Sequence, residues 1–259
     1  MLSQEEIDRC AQLVHRAATD VEPIPMLTLE TPAMTLEDAY TVQRASMAHR
    51  FARGERLVGM KMGLTSVAKM EQMGVHNPIY GHLTDAMQLD NGGSISHAGH
   101  CHPRTEPELC FVLKEDLEGP VTPEEAMAAV GGIHAALEII DSRYKDFKFT
   151  LIDVVADNAS SIHFVLGDEG GADLDISDLE MSLWINGECV ETGSSKAIYD
   201  HPARSLAAQA NMLAERGERL LAGQVVMSGG ATKAVAVKPG DHVKVVVQNI
   251  GTAEFKVGA

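Results

Sequence analysis

Basic residues and aromatic residues are both scarce in this sequence of 259 residues. Lys and Arg number 21 against 37 Asp and Glu, which gives a net charge of −16, and aromatic residues make up only 4% of the chain. Proteins that bind nucleic acid or an anionic membrane surface usually do so through excess positive charge. The composition therefore argues against both kinds of partner. An acidic protein that handles an acidic small molecule needs a local cation, either a bound metal ion or a buried lysine.

Long apolar runs and paired cysteines are also missing. No apolar run is long enough to span a bilayer, and the N-terminal stretch MLSQEEIDRC lacks the basic region and apolar core of a signal peptide. The four cysteines stand at scattered positions: Cys10, Cys101, Cys110 and Cys189. Their spacing suggests reduced thiols rather than a disulfide framework, so we expect a cytoplasmic protein.

The hydrophobic pattern changes after residue 56. Residues 1–56 predict two capped helices, since Ser3 and Thr35 each precede a helical pattern and are followed three residues later by an acidic side chain. Residues 57–259 alternate short apolar runs with Gly, Pro and Asn, as in β-rich proteins, and Asn186-Gly187 predicts a hairpin. We predict an α+β fold with a mixed β-roll or barrel, in which both segments form one structural unit. The polar stretch 154–161 is expected to follow an apolar strand.

The stretch HAGHCHPRTEPELCF (97–111) offers two different sets of metal ligands. The nitrogen and sulfur donors are His97, His100, Cys101 and His102. A zinc site built on them lacks a second ligand pair at the usual distance, so exposed loop histidines are the favoured interpretation. The alternative set contains only carboxylates, Glu106 and Glu108.

Glu106 and Glu108 lie two residues apart at the start of an apolar strand, so their side chains project to the same face. Glu138 interrupts a second apolar strand, where a carboxylate is unfavourable unless it is paired or bound to a metal. Three carboxylates on neighbouring strands would form an oxygen site suited to Mg²⁺ or Mn²⁺. The alternatives are a solvated strand edge for the first two and a salt bridge to Arg104 or Arg143 for Glu138.

Three other polar groups are candidates for ligand binding. Lys61 lies among apolar residues and glycines, so it is expected to have a lowered pKa and to face a substrate anion, unless it is a surface lysine. The loop in VVADNASS (154–161) either positions a ligand or forms an ordinary Asx turn. The Gly-Gly turn in MSGGATKAV (227–235), together with Thr232, either binds a carboxylate through its N–H groups or is an ordinary turn.

Several of these stretches resemble a known family when they are taken together. In chain order they are GMKMGLTS (59–66), MGVHNPIYGHL (73–83), PRTEPELCFVL (103–113), ALEIIDSRY (136–144), VVADNASS (154–161) and MSGGATKAV (227–235). They resemble the fumarylacetoacetate hydrolase superfamily, in the branch of 2-hydroxypentadienoate hydratases and 4-oxalocrotonate decarboxylases of catechol meta-cleavage. The resemblance runs from about residue 30 to the end. It implies a mixed β-roll that binds Mg²⁺ or Mn²⁺ through Glu106, Glu108 and Glu138.

The choice within this branch depends on a short motif. Hydratases of the branch typically read P-D-[FY]-G, whereas this chain reads Pro78-Ile79-Tyr80-Gly81 and lacks that carboxylate. The motifs from Met62 to Val75 and from Asp141 to Phe149 also resemble the decarboxylases. The resemblance therefore implies decarboxylation of 2-oxo-3-hexenedioate to 2-hydroxypenta-2,4-dienoate. The alternatives are a 2-oxopent-4-enoate hydratase, a hydrolase of acylpyruvates and a catalytically inactive acid-binding subunit.

The resemblance also implies roles for individual residues. The predicted catalytic residues are Lys61, Ile79, Asp157 and Ser161. The predicted substrate-binding residues are Leu64, Thr65, Ser66, Arg143, Asn158 and Thr232. The implied partners are further copies of the chain in a homo-oligomer and a 2-hydroxypentadienoate hydratase that takes the product.

Overall fold

The computed structural model describes residues 1–66, Met70 and 78–259. The helices of this part are α1 (Gln4–Thr19), α2 (Leu27–Glu30), α3 (Leu36–Ala52), α4 (Pro123–Ala128), α5 (Leu151–Ala156) and α6 (Pro202–Ala214). The strands are β1 (Leu57–Gly63), β2 (Ile79–Thr84), β3 (Gln88–Leu89), β4 (Ser94–Ser96), β5 (Arg104–Leu113), β6 (Val130–Ile140), β7 (Ser161–Gly171), β8 (Glu180–Ile185), β9 (Glu188–Ser194), β10 (Val225–Met227), β11 (Val235–Ala236), β12 (His242–Val247) and β13 (Gly251–Gly258). Short 3-10 turns connect several of them.

The N-terminal segment contains the two capped helices that the sequence predicts. The Ser3 side chain accepts from the backbone N–H of Glu6, and the Thr35 side chain accepts from the backbone N–H of Asp38. In both caps the acidic side chain accepts from the cap residue's own N–H, which completes a capping box. Helices α1 and α3 pack against each other, and α3 also contacts α5.

The larger sheet carries the site described below. Its strands run in the order β2-β1-β10-β5-β6-β7-β3, and β11 pairs with the start of β5. The β1–β10 and β3–β7 pairs are parallel, while the remaining pairs are antiparallel. Strands β5 and β6 therefore lie inside the sheet, where side chains on both faces are buried.

A second sheet packs against the larger one. Its strands run in the order β4-β13-β12-β8-β9, and β13 contacts β7 and β6 of the first sheet. The β8–β9 hairpin turns at Asn186 and Gly187, both with positive φ, as the sequence predicts. The mixed strand directions and the N-terminal helices confirm the α+β class and the β-roll. In the described part of the chain, no helix has the length and apolar character needed to cross a membrane.

One local prediction is wrong. Residues 151–156, which precede the polar loop, form helix α5 rather than an apolar strand. Thr150 and Asp153 form a capping box at its start, and the Asp153 carboxylate also accepts from the backbone N–H of Thr28 at 3.0 Å. Because the segment is short, its apolar pattern does not distinguish helix from strand, and the cap decides.

Candidate metal centre and substrate cavity

Three glutamates from two neighbouring strands form the centre of the site. Glu106 and Glu108 project from the same face of β5, and Glu138 of β6 pairs directly with Glu106 in the strand register. One carboxylate oxygen from each residue lies within 4.8 Å of the others. Since β5 lies between β10 and β6 and Glu108 is fully buried, the alternative of a solvated strand edge is wrong.

The electrostatics of this cluster call for a cation. Burial raises the pKa of Glu108 well above its usual range, and the nearby charges of Glu138 and Glu106 raise it further. Burial also raises the pKa of Glu138, against the opposing effects of Lys61 and Ser161. Within the described residues, the buried Oε1 of Glu108 has no hydrogen-bond partner. A hard divalent cation would satisfy this oxygen and relieve the repulsion, so the donors present fit Mg²⁺ or Mn²⁺.

Lys61 is the positive group of the site. Its Nζ lies 3.0 Å from Glu138 Oε2 and donates to the Ala159 carbonyl at 2.9 Å, and the residue is only 3% exposed. Burial alone would lower the pKa of Lys61, but the charges of Glu138, Glu108 and Glu106 outweigh burial, so its pKa is raised. The predicted lowering of the Lys61 pKa is therefore wrong, and so is the alternative of a surface lysine. The ion pair of Glu138 is with Lys61 rather than with Arg104 or Arg143.

The loop after α5 orients both members of this ion pair. Asn158, Ala159 and Ser160 have φ values of 49°, 49° and 59°, an uncommon left-handed conformation for residues other than glycine. This turn directs the Ala159 carbonyl at Lys61 and places Ser161 where its Oγ donates to Glu138 Oε1 at 2.9 Å. The loop thus positions the protein's own charged groups.

Three of the predicted residues, Arg143, Asp157 and Asn158, make contacts that fix this loop. Arg143 and Asp157 form a buried ion pair, and the Arg143 backbone N–H donates to Asp157 Oδ2 at 3.0 Å. The Asn158 side chain accepts from the His82 N–H at 2.7 Å and donates to the His82 carbonyl at 2.9 Å. These contacts hold the loop in place. A direct contact of Arg143, Asp157 or Asn158 with substrate stays a prediction.

The Gly-Gly turn binds a carboxylate, but that carboxylate belongs to the protein. The Gly229 N–H donates to Glu108 Oε2 at 2.8 Å. Gly229 has φ +101°, and a Cβ there would lie 2.2 Å from Thr65 Oγ1; a Cβ at Gly230 would lie 3.0 Å from the carboxylate carbon of Glu106. Thr65, which is buried, therefore packs against the turn that holds Glu108, and the positive φ and lack of space at position 229 require glycine.

A cavity of about 350 Å³ opens beside Lys61 and Glu106. Its apolar wall includes Leu64, Ile79, Ile140, Phe147, Phe149 and Val154. Arg104 and Lys233 add two cations to its lining. The structure thus brings the predicted residues Lys61, Leu64 and Ile79 together at one cavity. Ser66 is half-buried and follows Leu64 and Thr65 in the chain. Thr232 Oγ1 donates to the carbonyl of Lys233, a lining residue, at 3.1 Å.

Reasoning from the sequence missed Arg104, Lys233 and Phe147 as lining residues. A signal existed for Arg104, because it lies two residues before Glu106 and so shares its strand face. Phe147 lies in the motif from Asp141 to Phe149, but nothing in the sequence indicated which way its ring points. Within the Pro78–Gly81 motif, β2 begins at Ile79. Residues 67–69 and 71–77 of the preceding motif lie outside the described residues.

The histidine and cysteine cluster is structural. The backbone N–H groups of Cys101 and His102 donate to the Asp141 carboxylate, and the His100 ring packs edge-on against His163. Over residues 1–66 and 78–259, the three glutamates are the only group of this kind close enough to hold a metal ion. The zinc alternative is therefore not supported.

Comparisons with known proteins identify relatives over nearly the whole chain. A 4-oxalocrotonate decarboxylase from Pseudomonas sp is 49% identical over 250 residues, which cover 96% of this chain and 97% of the relative. A 2-hydroxyhexa-2,4-dienoate hydratase from Comamonas testosteroni is 36% identical, with 99% of each chain covered. The solved structure of 4-oxalocrotonate decarboxylase from Pseudomonas putida G7, complexed with magnesium and adipate, has a TM-score of 0.96 and 42% identity, with 99% of each chain covered.

A family model also matches most of the chain. The model described as "Fumarylacetoacetate (FAA) hydrolase C-terminal" matches residues 61–258, which include all three glutamates and Lys61. The motifs, the fold and the full-length relatives lead to the same assignment. The chain therefore belongs to the fumarylacetoacetate hydrolase family.

Proposed function

We propose that this protein is a Mg²⁺-dependent decarboxylase that converts 2-oxo-3-hexenedioate (4-oxalocrotonate) to 2-hydroxypenta-2,4-dienoate and CO₂. The observation that carries the proposal is a cluster of three carboxylates and one lysine at the end of a largely apolar cavity. Full-length relatives at 43–49% identity are 4-oxalocrotonate decarboxylases. The related structure that holds magnesium also holds adipate, a dicarboxylate with the same number of carbons as this substrate.

The metal and its ligands come first in the proposed mechanism. Glu106, Glu108 and Glu138 would hold Mg²⁺, with Ser161 and the Gly229 N–H fixing two of the carboxylates. Bound Mg²⁺ would supply Lewis-acid stabilisation for negative charge that develops on the 2-oxo group. The protonated Lys61, a residue of the cavity lining, adds a fixed positive charge at the same end.

The bond changes need no nucleophile and no activated water. The bond between C5 and C6 breaks, CO₂ leaves, and the electron pair moves through the conjugated system to the C2 oxygen. That oxygen then takes a proton to give the enol product. An acidic side chain that activates water would have no part in this reaction, which fits Ile79 at the position where hydratases of the branch have an acid.

The apolar wall has a second effect. Ile79 is 3% exposed and packs against Gly63 of β1, close to Lys61. Leu64 and Val154 line the same cavity. A wall of this kind keeps water away from the conjugated carbons and strengthens the interactions of Lys61 inside the cavity. It therefore favours release of CO₂ over addition of water.

The test is turnover by the purified protein. With Mg²⁺ present, the ultraviolet absorbance of 2-oxo-3-hexenedioate should fall while CO₂ is released. Glu108→Gln removes one metal-binding oxygen and one charge, and it should abolish this activity while circular dichroism shows an intact fold. Glu124→Gln, an exposed residue at the start of α4, is the matched control and should keep full activity. Full activity of Glu108→Gln in metal-free buffer would overturn the proposal.

The second candidate is a hydratase. Relatives at 36% identity over nearly the whole chain carry hydratase names, so water addition must be measured directly. Incubation of the wild-type protein with 2-hydroxypenta-2,4-dienoate and Mg²⁺ separates the two reactions. Efficient hydration would favour the hydratase, and an absence of both reactions would favour an inactive binding subunit. For hydrolysis of acylpyruvates, the described residues that line the cavity include Glu106 but no histidine to form a His-Glu base pair.

We also propose the setting in which the enzyme works. Residues 1–56 and 57–259 fold as one structural unit, because α3 packs on α5 beside the site. The four cysteines are free, which fits a reducing cytoplasm. The product is an unstable enol, so a homo-oligomer that associates with a hydratase would protect it. Co-elution of the two enzymes in size-exclusion chromatography tests this association.

A further inference from the structure

We propose that Arg104, stacked on Phe147, binds the remote carboxylate of the substrate and so selects dicarboxylates over 2-oxo acids with one carboxylate. This inference deepens the proposed function and rests on it. It concerns the end of the cavity away from the metal ligands, where the carboxylate that leaves as CO₂ has to lie.

The position of Arg104 follows from strand geometry. Arg104, Glu106 and Glu108 alternate along β5 and share one face, with neighbours on that face roughly 7 Å apart. Burial decreases along this row from Glu108, which is fully buried, to Glu106 and Arg104, which are half-buried. A substrate held at the glutamates by its 2-oxo acid end therefore extends toward Arg104. Its four bonds from C2 to C6 span about 5 Å, taking the length of an extended backbone per bond, which suits that separation.

The guanidinium group is held by an aromatic platform. Arg104 Cζ lies 4.1 Å from the centre of the Phe147 ring. That ring is itself packed by Phe149 at 5.5 Å and His102 at 6.3 Å between ring centres. Stacking leaves the edge of the guanidinium, with its N–H groups, available for a carboxylate.

The backbone at Phe147 supports a functional role for the platform. Asp146 and Phe147 have φ values of 59° and 57°, which is unfavourable for a bulky residue. Backbone hydrogen bonds of Ile24 to Arg143 and Lys145, both 2.9 Å, hold this loop against the N-terminal segment. Such strain persists where the surroundings enforce it, and it is concentrated at binding sites.

The second cation of the cavity is less suited to the role. Lys233 is mostly exposed and already pairs with Glu191 at 2.9 Å. Arg104 forms no ion pair with any residue in the described part of the chain. In a protein with a net charge of −16, a lining guanidinium without an acidic partner among the described residues is the group that would attract the far end of a dianion.

The proposal predicts a specific kinetic signature. The ion pair between Arg104 and the remote carboxylate exists in the bound substrate and disappears as CO₂ forms. It therefore stabilises the bound substrate at least as much as the transition state. Loss of this ion pair should raise KM and should not lower kcat. The product lacks that carboxylate and is released more readily.

The experiment compares Arg104→Met with the wild type. The methionine keeps an unbranched side chain against Phe147 but removes the charge. With 2-oxo-3-hexenedioate, KM should rise at least about tenfold while kcat does not fall. Calorimetry in the presence of Mg²⁺ should show adipate binding weakened by at least about tenfold and 2-oxopentanoate binding unchanged. Arg56→Met, an exposed arginine paired with Asp85 at 2.9 Å, is the control for a lost positive charge and should bind both acids normally.

Three results would overturn the proposal. One is equal weakening of adipate and 2-oxopentanoate binding, which would indicate a general disturbance of the cavity. Another is a fall in kcat at constant KM, and the third is a loss of adipate binding in Lys233→Met but not in Arg104→Met. The calorimetric comparison uses ligands that do not react, so it tests Arg104 even if the wild-type protein releases no CO₂. Failure of the decarboxylase assignment is thus distinguishable from failure of this inference.

Discussion

Substitution of Gly229 by alanine tests whether the glycine turn fixes Glu108, one of the three proposed metal ligands. The new Cβ would lie 2.2 Å from Thr65 Oγ1 and 2.6 Å from Thr65 Cγ2, and Thr65 is buried, so one of the two backbones has to move. Such a shift would stretch the 2.8 Å hydrogen bond from the Gly229 N–H to Glu108.

The free-energy cost of Gly229→Ala has three sources. A φ of +101° costs an alanine about 1–2 kcal/mol. Relief of the overlap in a packed site costs about 1–3 kcal/mol. A hydrogen bond to a charged group contributes about 1.5–3 kcal/mol. We expect the loss to appear partly in stability and partly in metal affinity, as a melting temperature lower by roughly 5–10 °C and Mg²⁺ binding weaker by at least about tenfold.

A matched variant separates the local backbone effect from the effect on the site. Gly187 in the β8–β9 turn also has a positive φ, +83°, but a Cβ there meets nothing within 4 Å. Gly187→Ala should therefore lower stability by only about 1 kcal/mol and leave Mg²⁺ binding unchanged. Thermal unfolding and calorimetric Mg²⁺ titration of both variants are the assays. If Gly229→Ala binds Mg²⁺ like the wild type and melts like Gly187→Ala, the reasoning about this turn is wrong.

Two further predictions concern charge. Lys61→Met removes the ammonium 3.0 Å from Glu138, so kcat should fall by roughly 100-fold or more while Mg²⁺ binding stays equal or becomes tighter; an unchanged kcat would contradict the role of Lys61. Burial lowers the pKa of both His82 and His163 to about 4, so below their ordinary pKa of about 6.5 the unfolded chain binds more protons than the folded protein. The free energy of unfolding should therefore fall as pH drops from about 6.5 to 4, by up to about 1.4 kcal/mol per pH unit for each histidine. Urea unfolding at several pH values checks this, and His163→Leu should make the slope shallower; a flat profile in the wild type would contradict the burial effect.

The clustering of the three glutamates was predictable from the sequence because simple rules apply to them. Side-chain alternation puts Glu106 and Glu108 on one face, and Glu138 stands out as an acid inside an apolar strand. The sequence does not reveal that Glu106 and Glu138 are direct partners across the β5–β6 pair. That pairing depends on strand register, which is set by contacts between distant parts of the chain.

Other features of the site were beyond sequence reasoning for a different reason. The left-handed turn at Asn158, Ala159 and Ser160 contains no glycine to mark it. The raised pKa of Lys61 results from three carboxylates on other strands outweighing its burial. Local patterns identify which residues carry charge, but the balance of burial and neighbouring charge appears only once the chain is folded.

The turn at 158–160 also has a consequence for how the protein can be altered. The carbonyl that holds Lys61 and the hydroxyl that holds Glu138 come from Ala159 and Ser161, within a single short stretch of chain. The spacing between ammonium and carboxylate is thus set locally. Substitutions that leave residues 158–161 intact should therefore change the free energy of unfolding without changing that spacing, whereas an insertion within these residues should displace both contacts at once.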